Sequence, residues 1–242
     1  MFISLLKGIK DIIYPRVCIA CNTKISEDAS IEKLICLKCW EKIGRNKPPF
    51  CQQCGRQLQR KNINKSICDG CVRSNVYFDR AFSPYRYEGA IKKLIHNFKY
   101  NNKKFLNKPL ANLLINFINE YEIPIRFIDF LVPIPLNNAR LREREFNQSQ
   151  LLAERLSMIL SKPVLNNALS RVVNTRSQAE LNGQERFINI KNAFRTIETS
   201  AIKGKNILLV DDVFTTGATL SEAACVLKKS GANIVFALTL AN

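Results

Sequence analysis

The 242-residue chain lacks three features that would place it in common functional classes. Its longest apolar run is far shorter than the roughly eighteen residues that a membrane helix needs. It contains no GxxxxGK[ST] motif, which argues against a P-loop ATPase. Its opening residues, MFISLLKGIKDIIYPRVC, are interrupted by charges and precede no small-residue cleavage site, so they predict no signal peptide. We therefore expect a cytoplasmic protein.

Acidic residues and histidine are also scarce. The chain has 37 Lys and Arg against 20 Asp and Glu, a formal net charge of +17. Both the cysteine-rich front and the remainder are basic, and a basic field implies an anionic partner, either a polyphosphate or a nucleic acid. The one histidine, His96, has no obvious partner in the sequence and is interpreted as an ordinary helix residue.

Cysteine, in contrast, is abundant and regularly spaced. Eight of the nine cysteines form CxxC pairs within a short stretch near the N-terminus. Zinc needs four soft ligands in a tetrahedron, and each CxxC turn supplies two of them. Disulfides are disfavoured because nothing in the sequence predicts secretion. We predict two structural zinc ions, bound by Cys18, Cys21, Cys36, Cys39, Cys51, Cys54, Cys68 and Cys71.

The spacing leaves the pairing of these cysteines open. Sequential pairing gives two zinc ribbons, whereas a cross-braced arrangement would let the first pair share a metal with the third. Each four-thiolate site carries a charge of −2, so two sites lower the formal charge from +17 to +13. So small a segment has little apolar core, and the metal must supply much of its folding free energy. The ninth cysteine, Cys225, lies in an amphipathic helical pattern and is predicted to be a buried packing thiol.

Beyond the cysteines, strand-like and helix-like patterns alternate, which predicts an α/β fold with a mainly parallel sheet. We expect an N-terminal helix in residues 1–17, a double zinc ribbon in 18–75 and the α/β domain in 76–242. Strands are predicted at 82–89, 127–135, 163–173, 206–210 and 233–240. Helices are predicted at 90–100, 109–121, 146–161, 177–190 and 219–231.

The stretch ILLVDDVFTTGAT, residues 207–219, is the most informative part of the chain. Asp211 and Asp212 stand at the carboxyl end of a predicted buried strand, where parallel sheets bind their ligands. The turn that follows offers backbone N–H groups, threonine hydroxyls and a helix N-terminus to a phosphate. The two acids could accept hydrogen bonds from vicinal hydroxyls or lie near Mg²⁺. A sugar phosphate meets both demands.

This stretch resembles the 5-phosphoribosyl-1-pyrophosphate (PRPP) signature of type I phosphoribosyltransferases. Three further segments, YEGAIKKLIHNFKY, VPIPL with RLREREFNQSQLLAERL, and RVVNTRSQAELNGQERFINIKNAF, are similar to the ComF family of competence-associated proteins. The resemblance covers nearly the whole chain. One departure is visible: this chain has Glu145 where such proteins usually have the glycine of Arg-Gly-Phe-Asn-Gln.

The resemblance implies a type I phosphoribosyltransferase fold behind a small zinc-ribbon module, with PRPP and Mg²⁺ as ligands. Asp211 and Asp212 would hold the ribose hydroxyls, and a mobile loop near Arg171, Thr175, Arg176 and Gln178 would close over the site. The residues implied in catalysis are Asp211, Asp212, Arg140, Arg144 and Arg176. The residues implied in PRPP binding are Pro133, Ile134, Pro135, Val213, Phe214, Thr215, Thr216, Gly217, Ala218 and Thr219. The alternative for the arginines is a solvent-exposed charged segment without a binding role. In that case Arg140, Arg142 and Arg144 would pair with Glu143 and Glu145.

Two functional hypotheses follow. The first is a phosphoribosyltransferase that serves natural transformation and DNA uptake, with an unknown acceptor. The second is a non-catalytic adaptor or single-stranded-DNA-binding protein that keeps the PRPP fold as a sensor, with a competence ATPase, a helicase or an inner-membrane DNA channel as possible partner. The segment 85–108 supports the second, because it interleaves lysines with aromatic rings. Its rings could equally face the core. The residues concerned are Lys92, Lys93, Lys99, Lys103, Lys104, Lys108, Tyr87, Phe98, Tyr100 and Phe105.

Overall fold

The computed structural model describes residues 16–25, 30–31, 34–59, 66–73, 76–173, 183–197 and 199–242. The expected helix of residues 1–17 lies almost entirely outside these ranges. No helix in the described part of the chain is long and apolar enough to cross a membrane.

The described residues of the cysteine-rich segment form short elements. Strands β1 (Ser30–Ile31) and β2 (Ile35–Cys36) pair antiparallel. Helices α1 (Leu37–Glu41) and α2 (Asp69–Val72) each begin directly after a cysteine of a CxxC pair.

The centre of the molecule is a four-stranded parallel sheet, which confirms the predicted fold class. The strands that follow the cysteine-rich segment are β3 (Arg80–Phe82), β4 (Phe130–Pro133), β5 (Leu169–Arg171), β6 (Phe194–Thr196), β7 (Asn206–Val213) and β8 (Ile234–Ala241). The sheet order is β3-β8-β7-β4, and every neighbouring pair is parallel. Strands β5 and β6 pair antiparallel in a separate two-stranded sheet.

Helices cover both faces of the sheet. In chain order they are α3 (Gly89–Tyr100), α4 (Asn107–Glu120), α5 (Asn138–Arg144), α6 (Gln148–Leu160), α7 (Gly183–Ile190), α8 (Thr199–Ile202) and α9 (Ala218–Lys229). Alternate residues of β7 face opposite sides: Leu208 and Val210 join the core with α3, α4 and α6, whereas Ile207 and Leu209 join the core with α7 and α9.

Four of the five predicted strands differ from the observed ones by more than one residue. The strand expected at 127–135 covers only Phe130–Pro133. The strand expected at 82–89 is found at Arg80–Phe82, because Pro84 has no N–H to continue the ladder and Tyr85 makes only isolated bridges. The segment 163–173 contributes just β5 and a bridge at Val164. The strand NILLV extends to Val213, since Asp211 and Val213 still pair with β8. Helix α5 lies in a stretch for which no helix was predicted.

The cysteine-rich segment shares both of these cores. Residues from its first half, including Ile25, Ile35 and Ile43, pack with α3 and α4. Leu58 from its second half packs in the other core, on the α9 side of the sheet. Backbone bonds reinforce this attachment: the Ala81 N–H donates to the Gln53 carbonyl at 2.7 Å.

Candidate functional site

The eight CxxC cysteines form two compact clusters in sequential order. The sulfur atoms within each cluster lie within 4.8 Å of one another. Sulfur atoms at about 2.3 Å from a tetrahedral zinc ion would lie about 3.8 Å apart. The Sγ atoms of Cys21 and Cys36 are 3.8 Å apart, and those of Cys54 and Cys68 are 3.7 Å apart. The cross-braced alternative is therefore wrong, and both donor sets fit zinc.

The two clusters contain the same kind of turn. The Cys36 N–H donates to Cys18 Sγ at 3.4 Å, and the Cys68 N–H donates to Cys51 Sγ at 3.3 Å. The residue after each first CxxC pair adopts the left-handed conformation: Asn22 has a φ of 60° and Gly55 a φ of 69°. Amide donors of this kind stabilise thiolates, so the turns prepare the sulfur atoms for a cation.

A cavity of about 470 Å³ opens at the carboxyl ends of β4 and β7, beside the N-termini of α6 and α9. Five cationic side chains line it against two carboxylates, so its lining carries an excess of positive charge. The cations are Lys99, Arg140, Arg144, Arg171 and Arg186, and the acids are Asp211 and Asp212. This excess suits a ligand with several negative charges.

The two acids have different partners. Asp212 Oδ1 lies 2.8 Å from Lys99 Nζ. Asp211 Oδ1 accepts a hydrogen bond from Ser149 Oγ at 2.9 Å and another from the Asp212 N–H at 2.9 Å. Burial and the neighbouring Asp212 carboxylate raise the pKa of Asp211 to about 7, against the opposing effect of Lys99. The charge of Asp212 is thus balanced by Lys99, whereas Asp211 accepts hydrogen bonds from uncharged donors.

The turn after β7 is shaped by Gly217, which precedes the first residue of α9. Its φ of 82° lies in the left-handed region, and a Cβ at this position would lie 2.5 Å from the ring of Phe214. That ring is buried and packs edge-on against Phe78 at 5.8 Å between centroids. Only glycine permits this close approach of the backbone at position 217 to the Phe214 ring. In this conformation of the turn, Thr215 and Thr219 line the cavity.

The cysteine-rich segment also contacts this turn. The guanidinium of Arg56, two residues after Cys54, donates to the Thr215 carbonyl at 3.4 Å. Cys51 and Cys54 belong to the same buried cluster as Phe78 and Phe214. The second cysteine cluster is therefore a structural support for the turn.

Helix α5 carries two arginines that line the cavity, Arg140 and Arg144. Its N-cap, Asn137, accepts a hydrogen bond from the Arg140 N–H at 2.8 Å. Arg144 donates to Gln148 Oε1 and to the Tyr100 hydroxyl, both at 3.1 Å. Among the residues that the structure describes, no ion pair joins either arginine to Glu143 or Glu145. Both arginines line the cavity, which disfavours a merely solvated run.

Glu145, the residue that departs from the ComF pattern, has an unusual backbone conformation. Glu145 ends α5 in the left-handed conformation, with φ of 64° and ψ of −9°, where glycine is normally favoured. Its N–H donates to the Leu141 carbonyl at 2.8 Å, and its carboxylate accepts a hydrogen bond from Asn102 Nδ2 at 3.0 Å. The loop thus takes a glycine-type conformation despite the substitution.

Most of the residues proposed from the sequence come together at this cavity. Of the others, Pro133 is buried in β4, Ala218 is the buried first residue of α9, and Thr216 accepts a hydrogen bond from the Ala218 N–H. Arg176, with Thr175 and Gln178, lies outside the described residues. The proposed residues that line the cavity are Ile134, Pro135, Arg140, Arg144, Asp211, Asp212, Val213, Phe214, Thr215, Gly217 and Thr219.

Sequence reasoning missed Lys99, Ser149 and Arg186 as cavity residues. The sequence pattern groups Lys99 with the candidate nucleic-acid-binding lysines, but its ammonium contacts Asp212. Two rings of that segment, Tyr87 and Tyr100, also line the cavity. Phe98 is fully buried, which leaves Phe105, at 56% exposure, as an accessible ring outside the cavity. The residues of segment 85–108 therefore lie in three places: in the core, at the cavity and on a basic surface.

Comparison with known proteins places these features in a family. Residues 9–72 match the double zinc ribbon domain, and residues 148–242 match the phosphoribosyl transferase domain. Competence protein F of Haemophilus influenzae is 31% identical over 219 residues, covering 88% of this chain and 91% of its own. Competence protein ComFC of Bacillus subtilis is 30% identical over 244 residues, covering 94% and 95%.

A third relative carries a different name. The DNA utilization protein YhgH of Escherichia coli (strain K12) is 30% identical over 203 residues, covering 83% of this chain and 87% of its own. Among solved structures, a purine phosphoribosyltransferase from Pyrococcus horikoshii Ot3 overlaps 55% of this chain and 81% of its own, with 16% identity and a TM-score of 0.32.

Proposed function

Because the chain belongs to the ComF family of competence proteins, we propose that its cavity binds PRPP with Mg²⁺ and that the protein serves the uptake and use of DNA. The observation that carries the first part is the joint presence of two acids, a glycine-shaped phosphate turn and four arginines in one cavity. PRPP is a sugar with adjacent hydroxyls, a 5′-phosphate and a pyrophosphate. Each of these groups has a matching set of side chains.

The proposed placement follows the charges. The turn from Phe214 to Thr219 would hold the 5′-phosphate with backbone N–H groups and hydroxyls, at the N-terminus of α9. Asp211 and Asp212 would accept hydrogen bonds from the ribose hydroxyls. The pyrophosphate would lie against Arg140 and Arg144, whose planar guanidinium groups suit phosphate oxygens.

The reaction that this arrangement supports is phosphoribosyl transfer. A nucleophilic atom of an acceptor would form a bond to C1′ as the bond from C1′ to the pyrophosphate oxygen breaks, and the electron pair would leave with the pyrophosphate. Arginines placed at that oxygen stabilise the developing charge. Mg²⁺ prefers hard oxygen ligands, which the pyrophosphate provides, and it would neutralise the leaving group.

The cysteine clusters would have a structural role, with one zinc ion in each. The relatives' names, which concern competence and DNA utilization, support a role for this chain in handling imported DNA. A cytoplasmic protein acting beside a competence ATPase, a helicase or a DNA channel of the inner membrane would meet that role.

The experiment that tests PRPP binding is a thermal unfolding titration with PRPP and Mg²⁺. Ligand at 100 times its dissociation constant stabilises the native state by about 2.7 kcal/mol. For a chain of this size the midpoint would rise by about 5 to 10 °C. The double variant Asp211→Asn/Asp212→Asn should lose the rise, whereas Glu41→Gln, which changes an exposed acid on α1, should keep it.

The absence of a rise in folded, zinc-loaded wild type would contradict PRPP binding. A rise of equal size in the double variant would contradict the assignment of the ribose to the acids.

A second candidate function is binding of single-stranded DNA by the basic surface around α3 and α4. The supporting observation is that Lys92, Lys93, Lys104 and Lys108 are exposed, as is the ring of Phe105. Four phosphate contacts predict that the logarithm of affinity falls with the logarithm of salt concentration with a slope of roughly −3. Fluorescence anisotropy of a labelled oligonucleotide at several salt concentrations measures this slope, and a flat response would exclude the electrostatic interface.

A further inference from the structure

Lys99 reaches the cavity from the end of α3. The buried face of that helix, which includes Ile91, Ile95 and Phe98, packs in the core against the sheet. This packing fixes the last turn of α3 beside the carboxyl end of β7. The Lys99 ammonium consequently lies 2.8 Å from Asp212 Oδ1.

This ion pair is far less exposed than its counterparts elsewhere in the described ranges. The Lys99 and Asp212 side chains are 17% and 9% exposed, whereas the side chains of Lys228 and Asp79 are 29% and 42% exposed. Burial lowers the pKa of Lys99, but the attraction of Asp212 outweighs it and the net shift is upward. The lysine is therefore a fixed positive charge inside the cavity. Neither charge could be buried so deeply without the other.

The pair changes what the acids can bind. One oxygen of Asp212 is already occupied by an ammonium group, and Asp211 already accepts two hydrogen bonds. These contacts fall on Oδ1 of each acid, and a divalent cation that coordinated the remaining oxygens would be repelled by the ammonium group a few ångströms away. A ribose hydroxyl needs only one acceptor oxygen and meets no such repulsion.

We propose that Lys99 takes the position of a metal ion at the acid pair, so that the acids bind the sugar hydroxyls without a metal and exclude free divalent cations. This inference rests on the proposed sugar phosphate site and adds a positioning residue to it. Under this proposal Mg²⁺ enters with the pyrophosphate and is not recruited beforehand by Asp211 and Asp212. The sugar end of the ligand is then recognised independently of magnesium.

The first test uses a metal alone. Mn²⁺ is titrated into the zinc-loaded protein and followed by electron paramagnetic resonance. We expect no tight Mn²⁺ site in wild type, and in Lys99→Met a site at least about tenfold tighter, because the variant removes the cation that opposes a metal ion at Asp211 and Asp212. Lys99→Met/Asp212→Asn should lose that site again. Lys108→Met removes the same charge from an exposed position on α4 and should behave as wild type.

A conservative variant separates this role from a merely structural one. Lys99→Arg keeps a cation beside Asp212 and should still exclude Mn²⁺. A tight Mn²⁺ site in wild type that Asp211→Asn abolishes, or equal Mn²⁺ affinities in wild type and folded Lys99→Met, would overturn the proposal.

The second test uses wild type and so does not depend on the folding of a variant. Ribose 5-phosphate, which carries the hydroxyls but no pyrophosphate, is titrated calorimetrically with and without Mg²⁺. We expect its affinity to change by less than about threefold, since the acids need no metal to bind hydroxyls. A loss of tenfold or more without Mg²⁺ would overturn the proposal. If neither ribose 5-phosphate nor PRPP binds, the proposed function fails, and the Mn²⁺ titrations still decide the role of Lys99.

Discussion

Replacing Glu145 by glycine should stabilise the protein relative to replacing it by alanine. Both variants remove the carboxylate and its bond to Asn102, so their difference isolates the backbone. A non-glycine residue in the left-handed region costs about 1–2 kcal/mol, which glycine at the φ of 64° avoids. Glycine also gives the unfolded chain more freedom, which offsets about 0.4–1 kcal/mol of that gain. The balance leaves Glu145→Gly about 0.5–1 kcal/mol more stable than Glu145→Ala.

The assay is thermal or urea unfolding of the two variants side by side. At 2–4 °C per kcal/mol for a chain of this size, the midpoints should differ by about 1 to 4 °C. Glu122 is a matched control, because it also has a positive φ, 47°, and follows α4 away from the cavity. Its glycine and alanine variants should show the same order. Equal midpoints for the two Glu145 variants, with the expected difference at Glu122, would refute the claim that the backbone at Glu145 is strained.

Three further predictions concern the cavity and its supports. Gly217→Ala should abolish the PRPP-induced thermal rise, because the added Cβ would overlap the Phe214 ring; a rise of wild-type size would contradict the account of the turn. Cys68→Ser should lower both the zinc content and the PRPP-induced rise, whereas Cys36→Ser should lower the zinc content and largely keep the rise, since only the second cluster shares a core with the turn. The raised pKa of Asp211 means that the folded state binds a proton that the unfolded state releases near pH 4, so the unfolding free energy of the ligand-free protein should fall as pH rises towards about 7 and then level off. Asp211→Asn should remove this part of the profile in urea titrations between about pH 5.5 and pH 8, and an unchanged profile would refute the assignment.

Local patterns were enough to predict most of the elements. The run NILLV is apolar between polar flanks, which predicts a buried strand, and the periodicity of 90–100 and 219–231 predicts the two helices found there. CxxC spacing predicts metal sites because both ligands come from one turn. What these cases share is that the deciding interactions lie within a few residues of one another.

Predictions were weaker where distant segments decide the outcome. The amphipathic pattern of α3 indicates which face is buried, but the partner of Lys99 is Asp212, more than a hundred residues later. For the same reason the spacing of the cysteines could not choose between sequential and cross-braced clusters. The pairing of β5 with β6 in a separate two-stranded sheet likewise depends on tertiary contacts.

The contact between the second cysteine cluster and the phosphate turn has a practical consequence for magnesium experiments. A chelator such as EDTA removes zinc as well as magnesium, and loss of zinc would loosen the core that holds Phe214 and with it the Arg56 bond to Thr215. Ligand binding would then disappear for a reason unrelated to Mg²⁺, and the protein would be scored as a magnesium-dependent binder. Magnesium should therefore be left out of the buffers from the start, and the zinc content of each sample should be measured beside its affinity.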